Sequence, residues 1–513
     1  MKPVRSIAFF ILFIVTLSAT AKPNKLIVQA DSGKVTISKN IYGHFAEHLG
    51  NCIYGGFWVG PESDIPNTRG IRNDVIAALK EIDPPVIRWP GGCFADYYHW
   101  KDGIGPRDQR PTMINSSWGG VTEDNSFGTH EFMDLCELLD AEPYVCINVG
   151  SGTVQEGADW VEYLNSDNIS PMTDLRKKNG REKPWNVKYF AVGNESWGCG
   201  GNMTPEYYVD NFKRFATYMR AGDLFRVASG GIDPDYHWTE TVMKKTENCR
   251  QLIDGYSFHY YSVWPSWDDK GSATDFKEQN WFNTLRVTHV MEGRLEQHID
   301  IMNEYDPENK IGLIADEWGT WYNVEPGTNP GFLYQQNTLR DAVTAAVFLN
   351  IFNNHAERVK MANIAQTVNV LQAMLLTKGE KLVKTPTFYV FKMYKVHQDA
   401  TLLPITLNCD DYAFEGETIP SVTASASKDA AGKIHLSLSN ANPHKAIKFD
   451  IDMQGVDVVS KSKGEVITSE NMNDYNDFDG EKVNIQPFKD FSVEKNKIQI
   501  ELPAKSVVTI ELD

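Results

Sequence analysis

The stretch Val187-Lys188-Tyr189-Phe190-Ala191-Val192-Gly193-Asn194-Glu195 decides the fold reading: a short apolar and aromatic run stops at a glycine followed by two polar residues. The same design returns at Ile311-Gly312-Leu313-Ile314-Ala315-Asp316-Glu317-Trp318-Gly319. Short, nearly continuous apolar runs of this length read as strands buried on both faces of a parallel sheet. Working outward, similar runs stand at Ile41–Phe45, Val86–Trp89, Tyr144–Val149, Arg226–Ser229, Gly255–His259 and Lys360–Ile364, which makes eight candidate strands. Helical patterns lie between them. Ile71, Val75, Leu79 and Ile82 form one apolar stripe, and Phe132, Leu135, Leu138 and Leu139 form another. Asn67 or Thr68 is the expected cap of the first helix, and Thr204-Pro205-Glu206 opens a later one with proline just inside its start. Eight β/α units in a row predict a (β/α)8 TIM barrel over residues 41–384.

After Pro386 the rhythm changes. One more helical segment near Phe388–Val396 gives way to alternating strands such as Ile434–Ser439 and Val507–Leu512, the pattern of a C-terminal antiparallel β-sandwich over residues 385–513. Residues 22–40 also alternate, and are expected to add an N-terminal strand segment to that sandwich. Met1–Ala21 carries Lys2 and Arg5, an apolar run and Ala19-Thr20-Ala21, so it is read as a cleaved signal peptide. Export to the periplasm or the medium follows as an expectation, with no membrane insertion after cleavage.

The chain has 513 residues and a formal charge of −18, with no cluster of Lys and Arg, so a nucleic-acid partner is excluded. Its 13 Trp and 21 Tyr suit a protein that stacks sugar rings, although aromatic residues serve cores more often. Seven cysteines, an odd number without C-x-x-C spacing, read equally well as buried thiols or as bridges, and Cys136 and Cys146 fall at ordinary core positions.

In a β/α barrel the polar residues just past the strands face the active site. Strand four delivers Glu195 there and strand seven Glu317. Two facing carboxylates are the apparatus of glycoside hydrolysis, one giving a proton and the other attacking or activating water. Other strand ends add Glu47, Arg88 with Gly91-Gly92, Asn148, His259, Tyr261 and Gln366. Arg88 and Asn148 read equally well as hydrogen-bonding residues of the barrel interior. His259 has no second His or Cys at ligand spacing, so no metal is expected, and the chemistry requires no cofactor.

Taken in order, Tyr42-Gly43-His44-Phe45-Ala46-Glu47-His48-Leu49, Arg88-Trp89-Pro90-Gly91-Gly92, Trp100 to Pro106, Gly193-Asn194-Glu195, Asp316-Glu317-Trp318 and Ile364-Ala365-Gln366 closely resemble the α-L-arabinofuranosidases of glycoside hydrolase family 51. The resemblance implies a retaining, exo-acting enzyme that releases terminal arabinofuranosyl residues from arabinoxylan, arabinan or arabino-oligosaccharides. It implies Glu195 as acid/base, Glu317 as nucleophile and Asn194 as the partner of the sugar 2-hydroxyl. Glu47 and Gln366 are then sugar-binding residues, His259 and Tyr261 partners of the catalytic pair, and Trp118 a wall of the pocket. It also implies a homo-oligomer. Many relatives have Asn where this chain has Cys93, so Cys93 is a candidate sugar contact through a weakly bonding thiol. The readings that compete are a β-xylosidase or endo-β-glucanase on the same site, and a non-catalytic exported glycan-binding protein.

Overall fold

In the computed structural model, which describes residues 24–456 and 462–513, eight parallel strands close into a barrel. They are β1 (Gly43–Phe45), β2 (Val86–Trp89), β3 (Glu142–Ile147), β4 (Tyr189–Val192), β5 (Phe225–Ala228), β6 (Gly255–Ser262), β7 (Gly312–Thr320) and β8 (Val359–Ile364). Each pairs with its neighbours in sequence, and β8 closes on β1. Strand alternation sorts the side chains. Val86, Tyr144, Cys146, Ala191, Val227, Ile314 and Met361 fill the barrel interior, whereas Ile87, Trp89, Val145, Ile147 and Val192 pack outward against the helices. Arg88 follows Val86 by two residues, and Asp316 follows Ile314 by two, so both continue the inward-facing series toward the mouth. Cys146 lies in the interior, and Cys136 is buried on the helix Thr129–Leu139.

Two local expectations change. Residues 39–42 form a 3-10 turn that enters β1, instead of the strand expected from Ile41. Asn67 and Thr68 do not cap the first helix, because Asn67–Thr68 pairs antiparallel with Ile71–Arg72 across a turn in which Arg69 and Gly70 both have positive φ. The helix then begins at Asn73. At the later helix Pro205–Tyr218 the Thr204 hydroxyl accepts from the Tyr207 amide, as its Thr-Pro-Glu opening predicts.

The helix Pro386–Tyr394 still belongs to the helical ring, where Phe391 packs on Trp318 of β7. Beyond it lie two sheets. The seven-stranded sheet is antiparallel and has Ile434–Asn440 and Ser506–Leu512 at its centre. In the five-stranded sheet, Lys25–Gln29 sits between Ile405–Asn408 and Ile447–Gln454, antiparallel to the first and parallel to the second. Lys497–Leu502 alternates strictly between exposed and buried residues, and sends Ile498, Ile500 and Leu502 into the shared core with Leu26, Val28 and Leu438. Each of these side chains contributes roughly 2 kcal/mol by leaving water. The helix Leu339–Asn354 is buried between barrel and sandwich, and the asparagines of its C-terminal turns face the sandwich. Asn350 exchanges hydrogen bonds with Thr423 and Ser425, and Asn354 donates to the Ala424 carbonyl. No helix among the described residues is long and apolar enough to cross a membrane.

Candidate active site

Register errors in β6 and β7 build the centre of the site. Ser257 stands opposite Ile314, yet His259 stands opposite Glu317, so β7 carries one extra residue between the two pairings. Such a bulge resets the alternation and lets the successive residues Asp316 and Glu317 both reach the barrel mouth. On β4 the chain turns at Gly193, with φ of +89°, and Glu195 itself holds φ of +40°. A left-handed glutamate costs about 1–3 kcal/mol, a strain that the surrounding bonds must hold. Asp96 does much of that holding. Its carboxylate accepts from the Asn194 amide at 2.8 Å and from the Val149 and Gly150 amides at 2.7 and 2.8 Å, tying the end of β3 to the end of β4.

Around this frame the predicted residues converge. Glu317 Oε1 accepts from Arg88 Nη1 at 2.8 Å, and its Oε2 accepts from the Tyr261 hydroxyl at 2.8 Å. Arg88 Nη2 donates to Asn194 Oδ1 at 2.5 Å, which turns the Asn194 amide nitrogen toward Cys199 Sγ, 3.9 Å away, a weak acceptor that a ligand hydroxyl can replace. Glu195 Oε1 lies 2.9 Å from His259 Nδ1, and His259 Nε2 lies 3.1 Å from Asp316 Oδ1. A carboxylate oxygen of Glu195 and one of Glu317 lie within 4.8 Å of each other. Glu47 receives four donors: the Gly92 and Phe94 amides, Trp118 Nε1 and Gln366 Nε2. The buried Gln366 Oε1 has no protein partner, so it can accept from a sugar hydroxyl. Gly92 is required by space: a Cβ there would stand 2.8 Å from Glu317 Oε1 and 3.5 Å from Glu47 Oε1.

Charge is balanced within the barrel. Burial alone would raise the pKa of Asp316, but Arg88 first, then His259 and Tyr144, hold it below the ordinary carboxylate value. Tyr261 is pushed well above the usual phenol by burial and by the charge of Glu317, so it remains a donor. Burial and Glu317 raise Glu47 to about 7 against the donors that favour its charged form. For His259 burial works downward, but the charge of Glu317 and the bonds to Asp316 and Glu195 lift it to about 10. A protonated imidazole has no lone pair for a metal, so the Glu195–His259–Glu317 cluster is a poor cation site despite its spacing.

The shift of His259 also fixes a pH dependence. Its unfolded pKa is 6.5 and its folded value about 10, so its ion pairs stabilise fully below pH 6.5 and are lost as the pH climbs through 10. His259→Gln is therefore expected to unfold at a lower temperature than wild type at pH 6, with the gap closing steadily between pH 7 and 10. A gap that is constant over that range in thermal unfolding curves would show that the ring is neutral.

Cys93 departs from its expectation. It is joined to Cys199 in a disulfide with a Cα–Cα distance of 5.4 Å, and so offers no thiol hydrogen bond. The bridge ties the loop after β2 to the loop after β4, and Cys199 Sγ lies 3.6 Å from Glu195 Oε2. Cys93 still lines the cavity, as part of a sulfur wall. Asn148 takes the structural role: its side-chain oxygen accepts from the Ser151 and Gly152 amides and shapes a loop. Arg88 takes the opposite role, at the heart of the site. Asp96, Asp316 as a partner of His259, and Cys199 join the site without a pattern in the sequence that points to them. Asp316 stood in the motif beside Glu317, whereas Asp96 gave no signal beyond its place past strand two.

The family models for the α-L-arabinofuranosidase 1 domain and the α-L-arabinofuranosidase C-terminal domain match residues 78–279 and 316–506. An intracellular exo-α-L-arabinofuranosidase of Bacteroides ovatus is 54% identical over 98% of both chains. A probable α-L-arabinofuranosidase C of Aspergillus niger is 35% identical over 85% of this chain and 88% of its own. Among solved structures, the GH51 arabinofuranosidase from Xanthomonas axonopodis pv. citri superposes with a TM-score of 0.93 at 46% identity, covering 96% of this chain and 100% of that one. The Thermotoga maritima α-L-arabinofuranosidase in its arabinose complex gives 0.84 at 30% identity, covering 95% and 99%. The leader expected over residues 1–21 lies outside the described residues, and the expectation of export is corrected. The Bacteroides ovatus relative, aligned over almost its full length, is named intracellular, and a basic start followed by an apolar run is too general a pattern to outweigh it. With the barrel, the paired carboxylates and these matches agreeing, the chain belongs to the α-L-arabinofuranosidases of glycoside hydrolase family 51.

Proposed function

We propose that this protein is a retaining exo-α-L-arabinofuranosidase that removes terminal arabinofuranosyl residues from arabinoxylan, arabinan or arabino-oligosaccharides. The observation that carries the mechanism is the approach of Glu195 and Glu317 oxygens to within 4.8 Å. Retaining enzymes keep their carboxyl groups about 5–5.5 Å apart, whereas an inverting pair leaves room for water at about 6.5–9.5 Å. Glu317, with a donor on each oxygen, is oriented to attack the anomeric carbon. Glu195 gives its proton to the departing oxygen, then takes one from the water that opens the glycosyl-enzyme. Asn194, oriented through Arg88, is placed to hold the 2-hydroxyl, and Glu47, Gln366 and Trp118 enclose the rest of the ring. The family and its exo-acting relative support arabinofuranose as the sugar.

Turnover of the nitrophenyl glycosides of α-L-arabinofuranose, β-D-xylopyranose and β-D-glucopyranose tests the reading. The arabinofuranoside is expected to be cleaved at least about 100-fold better in kcat/KM, a margin ordinary for a polar site matched to its hydroxyls. In added methanol the transfer product is expected to be methyl α-L-arabinofuranoside. Comparable xyloside turnover would overturn the glycone, and a β-configured product would overturn retention.

A further inference from the structure

The cavity around Glu195 and Glu317 has a volume of about 660 Å³. That is the size of a pocket for a drug-sized ligand rather than for one pentose. Glu47, Trp118, Asn194 and Gln366 gather at the sugar end. The remainder is built differently. Ile232 comes from the loop after β5, Val263 and Trp267 from the loop after β6, Val287 and Val290 from the helix Glu278–Tyr305, and Trp321 from just past β7.

Two features set this outer part apart. First, it is open and apolar. Ile232, Trp267 and Val290 are 50%, 59% and 38% exposed, and they are three of only seven large hydrophobic side chains so exposed among the described residues. Such a concentration marks a contact surface. Tyr261, bonded to Glu317, meets Trp321 edge-on at 5.0 Å, and Trp321 meets Trp267 at 5.5 Å, so aromatic rings run unbroken from the nucleophile to the rim. Second, its charged groups face each other. Asp233 is paired with Arg294 at 3.2 Å, and the Tyr260 hydroxyl is given to the Val287 carbonyl. A sugar leaving group would bring several hydroxyls that need partners, whereas an apolar ring needs none.

We propose that the outer slot accepts an apolar leaving group, so that the enzyme hydrolyses α-L-arabinofuranosides of alcohols bearing an aromatic or alicyclic ring as well as glycans. The proposal rests on the arabinofuranosidase reading. The bonds made and broken are the same: Glu195 protonates the alcohol oxygen as it leaves, and water supplies the hydroxyl of the released arabinose.

The test compares methyl and 2-phenylethyl α-L-arabinofuranoside, primary alkyl glycosides of similar leaving-group basicity that differ in apolar surface, together with an arabinofuranosyl xylobiose. In wild type the phenylethyl glycoside is expected to exceed the methyl one about thirty-fold in kcat/KM, the scale set by burying one face of a ring. In the double variant Ile232→Ser/Trp267→Ser this ratio is expected to fall to about three or less. A wild-type ratio near one, a ratio kept by the double variant, or an arabinofuranosyl xylobiose ten-fold better than the phenylethyl glycoside would each overturn the slot. Failure to cleave any arabinofuranoside, the nitrophenyl one included, would instead overturn the reading of the glycone.

Discussion

Glu317→Ala is expected to lower kcat by at least ~10⁴-fold on every arabinofuranoside, and azide is expected to restore turnover with an arabinosyl azide of inverted configuration. The loss should not depend on leaving group, because without Glu317 no glycosyl-enzyme forms. The carboxylate removed leaves room for azide on the same face of the sugar, and one displacement in place of two gives inversion. Arg88 keeps Asp316, 3.6 Å from its Nε, so the buried guanidinium is not stranded and the fold should persist. Failure of azide to rescue, with circular dichroism unchanged, would remove Glu317 from the nucleophile's role.

Glu195→Ala is expected to separate substrates by leaving group. A nitrophenolate departs with little protonic help, so kcat/KM on the nitrophenyl glycoside should fall modestly. Its kcat should fall by ~10²–10⁴-fold, since water must then open the intermediate without a base. On the methyl glycoside, where the proton is needed for departure, kcat/KM should fall by the larger end of that range or beyond. Azide should rescue the nitrophenyl reaction with retained configuration, the opposite of the outcome at Glu317. Equal losses on both substrates, measured by steady-state kinetics, would show that Glu195 acts on something other than the departing oxygen.

The barrel and its two carboxylates were legible in sequence because their signals are local. Strands buried on both faces read as apolar runs, and the active site sits where such runs stop, so Val187–Glu195 and Ile311–Gly319 carried most of the information. Glu47, Trp118, Asn194, His259, Tyr261 and Gln366 stand together in the structure because each follows or ends a strand at one mouth, or lies in a loop above it. What sequence did not disclose depends on contacts between distant segments. The sequence around Arg88 fits an interior or an active-site residue with equal force, and only the joint presence of Asp316, Glu317 and Asn194 around its guanidinium decides between them. Asp96 binds through three backbone amides, which have no side-chain signature. The Cys93–Cys199 bridge spans a sequence separation of 106 and could not be told from other pairings of seven cysteines. The outer cavity draws on three loops and a helix, none of which has an apolar pattern that points to it.

The place of Lys25–Gln29 in the five-stranded sheet has a temporal side. These residues leave the ribosome early, yet the strands that flank them, Ile405–Asn408 and Ile447–Gln454, emerge some 400 residues later. At about 5–20 residues per second the wait is roughly 20–80 seconds, long enough for the whole barrel to be synthesised in between. Throughout it, a strand with two unsatisfied edges must stay unpaired, and near its end the helix Leu339–Asn354 emerges ahead of the sandwich strand that covers Asn350 and Asn354. These later segments therefore both clamp the early strand and seal the barrel's flank, so assembly of this molecule closes as a loop in time, with an early strand waiting for late ones.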